Sequence, residues 1–93
     1  MPRYFMHLVD GDDQLLDPEG VEMPRTAVEG YALRCARDCI AGDVKRGDID
    51  FAYRIEVRDE ADLLVHKLEF KDAVTIMTAA GAASPYRKVK TGT

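Results

Sequence analysis

The chain predicts an α+β domain. The expected architecture is an antiparallel sheet in β-β-α-β-β order, with one long helix on one face and a short C-terminal helix. Three observations carry this. Residues 2–9 form an aromatic-rich run that is apolar on both faces, with Tyr4, Met6 and Leu8 on one side and Phe5, His7 and Val9 on the other. Residues 28–40 carry an apolar stripe at helical spacing. Residues 49–57 alternate strictly between apolar and polar.

The first run predicts a strand at the centre of a sheet, because an edge strand or one with a wet face would alternate. Asp10-Gly11-Asp12-Asp13 then has turn composition. Gln14-Leu15-Leu16 predicts a short return strand, cut off by Asp17-Pro18-Glu19-Gly20. Val21-Glu22-Met23 resumes pairing at an edge or forms a loop, since Pro18 excludes a central strand there.

Thr26-Ala27-Val28-Glu29 has the form of a capping box and predicts the helix start. Val28, Tyr31, Ala32, Cys35, Ala36, Cys39 and Ile40 make the buried stripe, and Gly47 after Lys45 and Arg46 makes the stop. Ile49, Phe51, Tyr53, Ile55 and Val57 form one face of the next strand. Asp59-Glu60-Ala61-Asp62 turns the chain back. Leu64, His66, Leu68 and Phe70 then share a face, opposite Leu63, Val65, Lys67 and Glu69, which predicts a hairpin. Asp72 caps a short helix over residues 73–80 that is available to cover the free face of the first strand; a second copy of the chain is the other cover. Residues 1–81 are read as one domain and residues 82–93 as a mobile basic tail.

Ninety-three residues suffice for one small domain, which buries roughly 60–65% of its unfolded surface and leaves little room for a deep catalytic cleft. The formal charge is −4, unevenly placed. Residues 1–72 hold ten basic and seventeen acidic side chains, whereas Arg87, Lys88 and Lys90 make the remainder +3. An acidic body repels phosphate backbones and disfavours nucleic acid as its partner. No apolar run reaches the roughly 20 residues of a membrane span, and acids follow the first strand where a leader would stay apolar. Cys35 and Cys39, one helical turn apart, are poorly placed to bridge each other. The expectation is a reduced, soluble, cytoplasmic protein.

Several strings carry a resemblance. They are Met1-Pro2-Arg3-Tyr4-Phe5-Met6-His7 with Asp10-Gly11, Gly20-Val21-Glu22-Met23-Pro24, Ala32-Leu33-Arg34, Ile55-Glu56-Val57-Arg58-Asp59-Glu60 and Leu68-Glu69-Phe70-Lys71-Asp72-Ala73-Val74. Together they resemble a family of small proteins of unknown function, abundant in rhizobia and other alphaproteobacteria. The resemblance implies a domain of this size in a bacterial cytoplasm, and supplies no activity, ligand or catalytic residue. The chain departs from that pattern at Met6, where the family is often aromatic, and at residues 59–62, which lack the family's usual turn glycine.

Candidate chemistry is sparse. His7 and His66 are the only imidazoles, and each shares a strand face with apolar residues, the ordinary setting of a core or rim histidine. Brought together with Cys35 or Cys39 they would make a zinc set, although no C-x₂-C or H-x₃-H spacing supports it. The cysteines lie in the buried stripe and read as inert. Asp10, Asp12 and Asp13 do not fit an EF-hand register and read as a solvated turn. Arg3, Arg54 and Arg58 make a basic strip only if their strands are adjacent, and Glu56 blunts it. No Ser/His/Asp pattern, phosphate loop or aromatic–basic platform occurs.

The leading reading is therefore a non-catalytic protein-interaction module without a cofactor, whose partner is a second copy or another protein. Its candidate contacts are Phe5, His7, Val9 and His66, with Arg87, Lys88 and Lys90 in the tail. A regulatory or antitoxin-like protein that contacts nucleic acid or a partner through the tail is the alternative, by fold analogy alone. A metal protein or enzyme using His7 and His66 is the third.

Overall fold

The computed structural model describes residues 1–77. Its strands are β1 (Arg3–Asp10), β2 (Asp13–Leu15), β3 (Val21–Glu22), β4 (Arg54–Arg58) and β5 (Leu64–Glu69), with one helix, α1 (Val28–Arg46), preceded by a 3-10 turn at Arg25–Ala27. The domain is α+β. Three strands rather than two precede the helix, because Val21 and Glu22 do resume pairing, opposite Tyr4 and Arg3.

β1 is central, as its two apolar faces require. The antiparallel order is β2-β1-β4-β5, and β3 lies on the same side of β1 as β2. Leu8 faces Leu15 across β1 and β2; Met6, His7 and Leu8 face Val57, Glu56 and Ile55 across β1 and β4. Val28, Ala32, Ala36 and Ile40 recur every four residues and form the buried face of α1. The small side chains of Ala32 and Ala36 let the helix lie close on the sheet, and the four residues complete a core with Tyr4, Ile55, Val57 and Phe70. The helix packs over β4 and β5, to one side of the sheet.

The helix begins differently from the capping-box expectation. Its N-cap is Ala27, with no side-chain hydrogen bond, because the 3-10 turn continues directly into the helix. Glu29 turns outward instead and pairs with Arg25 (2.9 Å). The C-terminus is as expected: Gly47 adopts φ 101°, and its amide donates to Asp43 and Val44 carbonyls.

Residues 49–53 are not strand. β1 ends at Asp10, so this segment has no partner there, and the Asp50 carboxylate accepts the Ala52 amide in a local turn (2.9 Å). The β4–β5 register also shifts between Val57 and Arg58, placing Leu64 opposite Arg58 and His66 opposite Val57. Leu64 and His66 therefore do not share a face as the unbroken alternation predicted. The connecting turn holds Asp62 at φ 64° in place of a glycine. The Asp59 carboxylate accepts the Ala61 and Leu63 amides.

After β5 the chain makes a 3-10 turn at Phe70–Asp72, and residues 73–77 are not helical. Ala73 is buried against the core, and its carbonyl accepts Arg37 Nε (2.8 Å). This segment thus packs on the helix side and does not cover the opposite face of β1. The remainder of the expected helix and the tail carrying Arg87, Lys88 and Lys90 lie outside the described residues. No helix among the described residues is long and apolar enough to cross a membrane.

Candidate functional site

Sheet register places Phe5, His7 and Val9 on the face away from the helix, opposite Arg58, Glu56 and Arg54. On β4 the Glu56 carboxylate is held between both guanidiniums, Arg54 at 2.8 Å and Arg58 at 3.0 Å. Partial burial pushes the Glu56 carboxyl up, but the two arginines outweigh it and hold it below the ordinary carboxylate value. Phe5 and His7 stack with ring centres 6.3 Å apart, and Val9 is buried.

The loop between β2 and β3 closes over the adjoining side of β1. Asp17 Oδ2 accepts the Met6 amide (3.1 Å), Oδ1 accepts the Gly20 (3.1 Å) and Glu19 (3.3 Å) amides, and the Asp17 amide donates to His7 Nδ1 (3.0 Å). Partial burial again acts upward, and the three amides overcome it, so the Asp17 carboxyl lies below its usual value. Gly20, at φ 70°, allows the close approach: a Cβ there would lie 2.8 Å from the Tyr4 carbonyl oxygen and 2.9 Å from the Phe5 ring.

His66 is on the other face. It lies opposite Val57, on the helix side, whereas His7 lies opposite Glu56. The two imidazoles are separated by the sheet, so they cannot share a metal or a proton. Among the described residues no group of three or more His, Cys, Asp or Glu side chains is placed to hold a metal ion.

The helix face of the sheet holds a second surface. Because α1 sits over β4 and β5, the β1–β2 side of that face projects beyond it. Met6, Leu8 and Ile55 form the floor of the resulting groove, and Cys35 and Cys39 form its helix wall. Leu15 and Leu16 stand at its outer rim, 69% and 59% exposed. The groove encloses about 240 Å³ and its lining is predominantly apolar.

Burial raises the Cys35 thiol, and Cys39 and Asp38 add to the effect; burial raises Cys39 likewise, reinforced by Asp43 and Asp38. Both sulfurs therefore remain protonated at neutral pH and are weak nucleophiles. The alternation argument pointed to the opposite face and missed this groove. The available signal was Leu15-Leu16, two adjacent leucines at the end of an edge strand where alternation calls for one polar residue.

The profile of a family described as a domain of unknown function (DUF6894) matches residues 3–71. The chain belongs to the DUF6894 family. The matched span runs from the first residue of β1 to the turn after β5, so both surfaces are part of the DUF6894 domain. No curated protein and no solved structure matches the chain.

Proposed function

We propose that this DUF6894 protein is a non-catalytic interaction module that pairs with itself. The observation that carries the reading is the off-centre helix, which leaves an apolar groove bordered by the exposed Leu15 and Leu16; other apolar side chains, among them Val44, Leu63 and Leu64, are exposed as well but line no such groove. Adjacent exposed leucines bordering an apolar depression are costly in isolation and typical of a contact surface. Two free cysteines fit a reducing cytoplasm, the setting that the resemblance implies.

Native mass spectrometry of the untagged full chain at low micromolar concentration tests the proposal. A dimer without added mass is expected. A monomer carrying a defined small molecule or metal would refute it, and would make Cys35, Cys39 and His7 the first residues to substitute.

A further inference from the structure

The loop between β2 and β3 is tied to β1 by two bonds of different chemistry. In the first, the Asp17 amide donates to His7 Nδ1 (3.0 Å). A backbone amide can donate to Nδ1 only while that nitrogen carries no proton, so the contact fixes His7 as the neutral tautomer protonated on Nε2. In the second, the Met6 amide donates to Asp17 Oδ2 (3.1 Å). Partial burial raises that carboxyl, but its three amides bring it below the ordinary value. It therefore stays ionised in mild acid and keeps the second tie there.

The charged groups that face His7 balance one another. Glu56 stands opposite it on β4, bonded to Arg54 and Arg58. Arg58 and Asp62 line the cleft beside the ring. Two guanidiniums thus offset two carboxylates, and the Asp17 carboxylate on the loop is engaged by its amides. From β1 itself the neighbour is the uncharged Phe5 ring. What protonation alters here is therefore the bonding capacity of Nδ1, which turns from an acceptor into a donor facing another donor. Leu16, the residue before Asp17, lines both this cleft and the apolar groove on the helix face. A change at the His7–Asp17 bond reaches the groove rim through one residue.

We propose that His7 and the loop of residues 16–20 form a pH-sensitive latch, in which protonation of Nδ1 releases the Asp17 amide and frees Leu16 at the rim of the groove, while the Asp17 carboxylate keeps the loop tethered to β1. The latch is a property of the single chain and does not depend on self-pairing.

NMR on the isotope-labelled full chain, from about pH 8 to about pH 5, tests the latch by following the His7 ring and the solvent exchange of the Asp17 amide together. The Asp17 amide is expected to lose about tenfold of its protection as the His7 ring takes up its proton, the worth of one hydrogen bond. The Met6 amide should stay protected throughout. In His7→Asn the side-chain Oδ1 takes the place of Nδ1 and accepts at every pH, so the Asp17 amide should stay protected with no pH dependence. His7→Phe, its fold verified by circular dichroism, should leave that amide unprotected even at the upper end of the range.

An Asp17 amide whose protection is unchanged while the His7 ring titrates overturns the latch. So does a His7 ring that shows no titration in this range, or the same loss of protection in His7→Asn as in the wild type.

Discussion

β2 pairs with residues 8–10 of β1 and β3 with residues 3–4, which leaves Phe5, Met6 and His7 without a strand on that side. Asp17 fills the gap, its carboxylate receiving the Met6 amide and its own amide reaching His7. An asparagine keeps the size of this side chain but turns an NH₂ toward one of the amides it now accepts. Asp17→Asn is expected to cost about 1–2 kcal/mol, read from urea unfolding at neutral pH. The pH dependence has a definite sign. Asp17 is held below its ordinary value, so its contribution is fully present above the unfolded value and is lost as pH falls through the lowered folded one. Wild type and variant should therefore differ at pH 7 and converge in acid; parallel melting curves down to pH 2 would contradict this account.

At the scale of elements, the helix and the last hairpin show where local sequence signals give way to context. The capping box at Thr26 goes unused because the chain enters α1 through a 3-10 turn. Thr26→Ala should accordingly change stability by less than about 0.5 kcal/mol, where a working cap costs about 1. Asp62 holds a left-handed conformation that costs a non-glycine residue about 1–2 kcal/mol, while glycine gives back about 0.5–1 in unfolded-state entropy. Asp62→Gly is therefore expected to stabilise by about 0.5 kcal/mol and to raise the melting temperature by about 2–4 °C. The central strand, the helix stripe and the glycine stop were legible because each follows from periodicity or backbone sterics within a few residues. The strand start was misread over residues 49–53 because alternation reports which side chains share a face but not whether a partner strand extends that far. The register shift before Arg58 is equally invisible to a pattern that counts in twos.

For the whole molecule, the candidate surface was the least legible feature. Which strand faces are covered depends on where α1 rests laterally, and nothing in the helical stripe encodes that position. The apolar side chains of β1 correctly indicated surplus surface. The pattern assigned the surplus to Phe5, His7 and Val9, whereas the structure leaves an open groove beside Met6 and Leu8 as well. The separation of His7 from His66 likewise depends on strand order and on the register shift. A fragment of residues 1–47 would retain the helix and the three N-terminal strands but none of β4 or Phe70, which bury Val28, Ala32 and Ala36. It is expected to show little helix by circular dichroism and no cooperative melt.

The central place of β1 also bears on the order of events during synthesis. Its pairings with β4 join residues about fifty positions apart, Phe5 with Arg58 and Val9 with Arg54. β1 must wait until about fifty further residues have been made before its second edge is satisfied. During that interval an aromatic-rich segment is without its lasting partner, so the growing chain is expected to be most vulnerable to aggregation before β4 emerges.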